Sequence, residues 1–254
     1  MGNIALVTGA SSGIGAEFVR QIAKRYPGLD EIWVVARRRE RLEELGRHVN
    51  VKLRVLALDL TVLQDVRELT GVLEQSKPHI RMLVNCAGCG RVGDFEISSY
   101  EEQALMVELN CKALTAVTYL CLPYVDDKSR IINVASAAAF LPQPHFAVYS
   151  ASKAYVLSFS RALRREITDR RVTVTVVCPG PVDTEFFKTA DPFGSMGRLK
   201  KHFMVSAGFV VRHALDDAAA GSELSVPGVA MKLLYLISRI VPHRLVLGLV
   251  YGKR

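Results

Sequence analysis

Residues 8–15 read Thr8-Gly9-Ala10-Ser11-Ser12-Gly13-Ile14-Gly15. The stretch follows a short apolar run, Ile4 to Val7, and opens an amphipathic one, Ile14 to Tyr26. Glycine at 9, 13 and 15 lets the backbone turn tightly and approach a phosphate group, whose charge then rests at a helix N-terminus. A glycine-rich stretch alone carries little weight. Between a strand and a helix it marks the start of a βαβ unit. An ordinary Gly-Ser turn is the competing reading, and the rest of the chain bears against it.

Apolar runs and helix-length segments alternate outward from this loop. Ile32 to Ala36, Leu53 to Leu58, Met82 to Val84, Ile131 to Ala135 and Val172 to Val177 are short and rich in Val, Ile and Leu, as strands buried on both faces require. Between them lie Arg39 to Val49, Leu63 to Gln75, Tyr100 to Leu122 and Ala147 to Thr168, each patterned as a helix. The alternation predicts an α/β fold, a doubly wound parallel sheet of about seven strands with helices on both faces. The seventh strand is expected after Gly221. No linker or repeat divides residues 1–254, so a single domain is expected.

The composition agrees. Half of the 254 residues are apolar and 23% are charged, enough for a sizeable core. The five cysteines make no disulfide framework and suit reduced thiols in a cytoplasmic protein. Cys86 and Cys89 form a C-x-x-C, but no second pair stands at metal-site spacing, so no metal is expected. No basic n-region precedes the first apolar run, and no apolar run reaches the roughly 18 residues of a membrane span. The net charge of +8 admits a polyanionic small molecule, an anionic membrane or nucleic acid.

The second strand ends at Ala36 and is followed by Arg37-Arg38-Arg39. In a dinucleotide-binding βαβ unit, an acid about 20 residues past the loop binds the adenine-ribose hydroxyls of NAD. Arg37 stands where that acid would be, and a guanidinium there grips a 2′-phosphate. NADP(H) is therefore preferred over NAD(H), with Arg37 and Arg38 as cofactor contacts. Arg41, a turn further on, reads as a solvated helix residue.

Tyr149-Ser150-Ala151-Ser152-Lys153 begins a helix, with Tyr149 and Lys153 one turn apart on one face. A nearby ammonium favours phenolate, as acid–base work at neutral pH asks. Ser136 closes the strand Ile131 to Ala135 and points into the crevice at the carboxyl ends of the strands. Tyr155 has Phe159, not Lys, four residues on, and so does not repeat the pattern.

On these motifs the chain resembles the short-chain dehydrogenase/reductase family over residues 3 to about 225. The markers occur in order: the loop Thr8 to Gly15, Asp59 in Leu58-Asp59-Leu60-Thr61, Asn85-Cys86-Ala87-Gly88, Asn110, Ser136, Tyr149 with Lys153, and Pro179-Gly180-Pro181-Val182-Asp183-Thr184. Cys86 departs from the family's usual Asn, and the C-x-x-C becomes part of that turn. The resemblance implies a Rossmann-type fold and hydride transfer between nicotinamide and a carbonyl carbon. It implies Tyr149 as general acid and Ser136 as the group orienting the carbonyl oxygen. Lys153 would lower the Tyr149 pKa and bind the nicotinamide ribose, and Asn110 would hold a water in a proton relay. Gly9, Ser11, Ser12, Gly13, Ile14 and Gly15 would cradle the pyrophosphate. Asp59 and Leu60 would meet the adenine. Asn85, Ala87, Gly88, Tyr149, Lys153, Pro179, Gly180, Val182 and Thr184 would also contact the cofactor, with Val182 and Thr184 at its carboxamide and phosphates. It further implies a homodimer or homotetramer paired through the helices around Tyr100 to Leu122 and Ala147 to Thr168.

Substrate contacts are expected in the segments that follow the strands. Ser136, Ala138, Phe140 and Phe146 are candidates on one side, and Phe186 and Phe187 on the other. Residues 190–220, with Phe193, Met196, Phe203 and Met204, read as a lid over a bulky apolar substrate. His145 and His202 read as loop residues, and Arg198, Lys200 and Lys201 as a solvated lid surface or a grip on a carboxylate tail. The A-R-R-R-E-R-L-E-E-L stretch and the V-P-G-x-x-M tail resemble a bacterial reductase group of broad or unassigned specificity, which is similar to hydroxysteroid dehydrogenases and long-chain ketoacyl reductases. A ketone of the steroid or bile-acid kind is the first expectation. A 3-ketoacyl thioester reductase or broad carbonyl reductase is the alternative.

Two other classes compete. Intact Ser136, Tyr149 and Lys153 speak against an idle NADP-binding sensor or scaffold. Charge alone suggests a nucleic-acid binder, and the basic residues are dispersed with no binding motif, so no nucleic-acid partner is expected. Residues 228–254 form an apolar extension with Lys232, Arg239, His243, Arg244, Lys253 and Arg254. A helix packed on the domain or on a second subunit is expected there, with peripheral membrane contact as the sharper reading.

Overall fold

The computed structural model describes residues 2–191 and 203–251. Seven parallel strands form one sheet in the order β3-β2-β1-β4-β5-β6-β9. They are β1 (Asn3–Thr8), β2 (Glu31–Val35), β3 (Lys52–Leu56), β4 (His79–Asn85), β5 (Val125–Val134), β6 (Thr173–Val177) and β9 (Leu224–Ser225). The seventh strand does follow Gly221. Val and Ile supply most of the buried strand positions, and branched side chains pack well on a pleated surface covered on both sides. A separate short pair, β7 (Val182–Asp183) with β8 (Val205–Ser206), had no signal in the alternating pattern.

The helices are α1 (Gly13–Arg25), α2 (Arg39–Gly46), α3 (Leu63–Ser76), α4 (Tyr100–Val107), α5 (Leu114–Cys121), α6 (Ala147–Glu166), α7 (Glu185–Ala190), α8 (Ala207–Ala219), α9 (Val229–Ile240) and α10 (His243–Tyr251). One core joins α1, α2 and α8 to one face of the sheet, around Phe18, Ile22, Leu42 and Leu215. A second lies on the other face with α3, α5 and α6, around Trp33, Leu69, Leu73 and Val117. This is the Rossmann-type arrangement. Strand order runs outward in opposite directions from β1 and β4, so their carboxyl ends flank the crevice where ligands bind in such sheets.

Two expectations change here. The expected lid, residues 190–220, extends too far. Val210, Val211, Ala214, Leu215 and Ala218 of α8 are buried in the first core against α1. The apolar spacing of 207–219 was that of a core helix. The candidates Phe193, Met196, Arg198, Lys200, Lys201 and His202 lie outside the described residues. The second change concerns 100–124, which is long and apolar enough by length and composition to cross a membrane. In the fold Met106, Ala113, Val117 and Cys121 of this stretch are buried within the protein, the last three on the sheet.

Candidate functional site

The carboxyl ends of β1, β2, β4, β5 and β6 open onto one cleft of about 550 Å³, a size typical of small-molecule sites. The glycine-rich loop forms one wall. Gly9 has φ +67°, and a Cβ there would stand 2.8 Å from the Ala87 backbone. A Cβ at Gly15 would lie 2.2 Å from the Gly9 carbonyl oxygen. Neither position accepts a side chain, so the loop stays a bare backbone turn against the start of α1. Thr8 ties this turn to its neighbour: its hydroxyl oxygen accepts from the amides of Cys86 and Ala87 at 3.0 and 3.1 Å. This backbone tie explains how Cys86 fits the turn. Burial pushes its thiol up to about 12.

The first turn of α1 holds no acidic residue, and its leading amides have no intrahelical acceptor. Ser12 is the N-cap, yet its side chain does not cap the helix. The hydroxyl instead accepts from Arg38 Nη2 at 2.9 Å, and Ser11 Oγ accepts from the same nitrogen at 3.0 Å. Arg38 also meets Glu185 at 3.1 Å, and Arg41 meets it at 2.8 Å. Arg41 is thus part of an ion-pair cluster beside the cleft, which its helical spacing did not reveal. Arg37 turns toward Asp59 at 3.7 Å. Partial burial opposes ionisation of Asp59, but hydrogen bonds from Thr61 and the Arg37 charge hold its carboxyl below the usual range. Arg37, Arg38, Asp59 and Leu60 all line this end of the cleft. Bare glycine turns, an uncapped helix start and clustered guanidinium groups fit the phosphates of a nicotinamide dinucleotide.

At the other end, Ser136 stands just past β5 and caps a short helical turn, its Oγ accepting from the Ala138 amide at 3.1 Å. It lines the cleft together with Tyr149. Burial pushes the Tyr149 phenol up to about 12, and Ser136 pulls against it. Lys153 is buried close to this phenol. Its Nζ donates to the Val134 carbonyl at 3.1 Å and lies 5.7 Å from the Tyr149 ring centroid. Burial lowers the Lys153 pKa. A phenol held protonated through the neutral range is a proton donor. The Tyr149 ring stacks on Phe146 at 4.1 Å and tilts against Phe186 at 5.6 Å.

Most of the candidates come together. Gly9, Ser11, Ser12, Gly13, Ile14, Gly15, Ala87, Gly88, Pro179, Gly180, Val182 and Thr184 line the cleft with Ser136, Ala138, Phe146, Tyr149, Lys153, Phe186, Phe187 and Phe203. Met204 does not, and neither do three others. Phe140 turns away and packs on Tyr235 with ring centroids 4.9 Å apart, because the turn after Ser136 buries it beneath α9. Asn85 faces the interior, where its Nδ2 donates to Thr118 Oγ1 and Asn133 Oδ1 at 3.0 and 2.8 Å.

Asn110 is the third. The helix expected over 100–122 widens into a π-helical turn at Glu108–Ala113, which carries Asn110. Its Oδ1 accepts from the Cys89 amide, and its Nδ2 donates to the Cys89 carbonyl and Ser152 Oγ, each at 2.9 Å. Both amide hydrogens are taken, so the side chain anchors the turn after β4 rather than facing the cleft. Met231 and Leu234 of α9 do line the cleft, as do Gln143, Leu105 and Leu109. The spaced apolar pattern of the tail gave no reason to place α9 there.

The sequence model of the short chain dehydrogenase family matches residues 3–193. The chain belongs to that family. It is an oxidoreductase of the kind that acts on alcohols and ketones. An uncharacterized oxidoreductase of Staphylococcus epidermidis is 31% identical over 209 residues, 80% of this chain and 88% of that one. The 17-beta-hydroxysteroid dehydrogenase type 3 of Rattus norvegicus is 28% identical over 254 aligned residues, 96% of this chain and 78% of that one. A short-chain dehydrogenase from Sphingobium yanoikuyae, solved with NADPH, superposes with a TM-score of 0.79 at 26% identity, covering 100% of this chain and 97% of that one.

Proposed function

We propose that the protein is an NADP(H)-dependent reductase that interconverts a bulky apolar ketone and its secondary alcohol, with a steroid-like ketone first. The observation that carries this reading is the meeting of Ser136, Tyr149 and buried Lys153 at a cleft whose far wall is apolar. The bound nicotinamide supplies the hydride. Tyr149 gives its proton to the carbonyl oxygen, and Ser136 donates a hydrogen bond that holds that oxygen in place. Lys153 holds positive charge beneath the reacting centre, and Asn110 positions the Cys89 turn beside it. Gly9 to Gly15 receive the pyrophosphate at the start of α1. Pro179, Gly180, Val182 and Thr184 receive the nicotinamide half with Ala87 and Gly88.

The preference for NADP(H) rests on Arg38, fixed to Ser11 and Ser12, with Arg37 and Arg41 beside it. The solved relative with NADPH supports it. Ala138, Phe146, Phe186, Phe187, Met231 and Leu234 supply the apolar wall. The hydroxysteroid dehydrogenase relative supports the substrate class.

Initial rates with NADPH and NADH on keto-steroids and on 3-ketoacyl thioesters test this reading. It predicts steroid turnover that is faster with NADPH. Equal or better use of NADH removes the cofactor assignment, and turnover of thioesters alone removes the substrate class.

A further inference from the structure

Helix α9 is apolar on two opposite sides. At about 100° per residue, Met231, Leu234 and Tyr235 share one side. That side is seated: Met231 and Leu234 line the cleft, and Tyr235 packs on Phe140. The Tyr235 hydroxyl accepts from Arg161 at 3.1 Å, which fastens the helix to α6. Val229, Leu233, Leu236 and Ile240 fall on the opposite side, where they are 84%, 57%, 55% and 80% exposed. Leu245 of α10 continues this exposed apolar surface along the chain. A helix apolar on both sides is normally covered on both.

The charges around this face have one sign. Residues 224–254 hold no Asp or Glu, whereas Lys232, Arg239 and Arg244 lie along the two helices. Lys232 and Arg239 fall on the flank between the seated and exposed sides of α9. An exposed apolar stripe flanked by cations complements an anionic lipid surface. A second copy of the same basic stripe would set like charges face to face.

We propose that α9 and α10 dock the protein on anionic bilayers, with the outer side of α9 in the headgroup region. The seated side of the same helix then holds the mouth of the cleft at the lipid boundary, where apolar molecules concentrate. The docking stands on the helix surface alone. The access it gives an apolar substrate rests on the reductase reading above.

Sedimentation of the full chain with vesicles tests the docking without any activity measurement. The protein is expected to pellet with phosphatidylcholine–phosphatidylglycerol vesicles, to bind phosphatidylcholine alone weakly, and to be released by salt. Each Lys or Arg near an anionic surface is worth about fivefold in partitioning, so Lys232→Gln with Arg244→Gln should cost about 25-fold. Leu233→Glu with Leu236→Glu should abolish pelleting while leaving the circular dichroism and urea midpoint unchanged. No pelleting of the parent protein overturns the proposal, as does equal binding to neutral vesicles. Light scattering gives the remaining outcome: a parent mass that falls in the Glu variant identifies a second copy as the occupant and also overturns it. Loss of pelleting with reduction of a soluble ketone intact separates failure of docking from failure of the reductase reading.

Discussion

Glu185, the first residue of α7, holds its carboxylate 3.1 Å from Arg38 Nη1, across 147 positions of chain. The same carboxylate takes Arg41 at 2.8 Å. Glu185 therefore presents an anion to the guanidinium groups proposed for a 2′-phosphate, and the two anions would compete. Both arginines hold its carboxyl below the usual range, so it stays charged at neutral pH. Glu185→Gln is expected to tighten NADPH binding several-fold and leave NADH binding nearly unchanged. Arg38→Ala is expected to weaken NADPH selectively. Fluorescence titration with both cofactors checks the pair. A Gln variant that binds the two cofactors with equal gain would show that Glu185 acts on the shared part of the dinucleotide.

Tyr149 carries the proton in the proposed mechanism. Tyr149→Phe should lower kcat for ketone reduction by about 10²–10⁴, with NADPH affinity retained. The same phenol has a stability consequence. Its folded pKa of about 12 lies above the unfolded value of about 10, so the unfolded chain releases that proton first. Stability should fall as pH rises from about 10 to about 12, by roughly 3 kcal/mol. Burial of Lys153 has the opposite sign: its folded pKa is lowered, so the cost of holding its proton is present below that value and eases as pH rises toward the unfolded value. Urea midpoints of the parent and Tyr149→Phe at about pH 8 and pH 11 separate the two groups. A smaller alkaline loss in the Phe variant is the expected result.

The glycine-rich end of the cleft was legible because its requirements are local. Glycine spacing, the strand before it and the helix after it occupy one βαβ unit, and residues 9 to 15 meet in space because they meet in sequence. The Ser136, Tyr149 and Lys153 group was legible because strand ends and helix turns fix where such residues point. Phe140 and Phe146 lie six apart in one segment, and no periodicity separates the one under α9 from the one in the cleft. Asn85 sits at a strand end, as Ser136 nearly does, but the partners that claim it, Thr118 and Asn133, come from distant segments. Met231 and Leu234 were hidden because α9 is apolar nearly all round. Its spacing could not tell which side the body would take.

Gly90 stands against the aromatic group at the Tyr149 end of the cleft. A Cβ there would stand 2.7 Å from Phe186, 3.0 Å from Phe146 and 3.1 Å from Tyr149. These are ring edges, so a methyl group displaces them without breaking the backbone. Gly90→Ala should raise KM for a bulky ketone and lower kcat, since Tyr149 moves with its stack. NADPH affinity should hold, because the phosphate loop lies at the other end. Kinetics on a bulky and a small ketone test this. An equal loss on both would place the effect on Tyr149 rather than on the room available.

Asn85 separates a structural from a cofactor-binding reading. It bridges β4 to α5 through Thr118 and to β5 through Asn133, whose Nδ2 passes the chain on to Ser160 Oγ of α6 at 2.9 Å. The four residues are buried, and these bonds replace water that cannot reach them, while Asn85 Oδ1 itself finds no partner. Asn85→Ala removes two of these bonds, and each group left unpaired costs about 1–3 kcal/mol. Urea unfolding should therefore show a loss of a few kcal/mol, with NADPH affinity of the folded fraction unchanged. Asn85→Leu should lose about as much, since it restores volume but not the bonds. A variant that unfolds like the parent yet binds NADPH poorly would return Asn85 to the cofactor site.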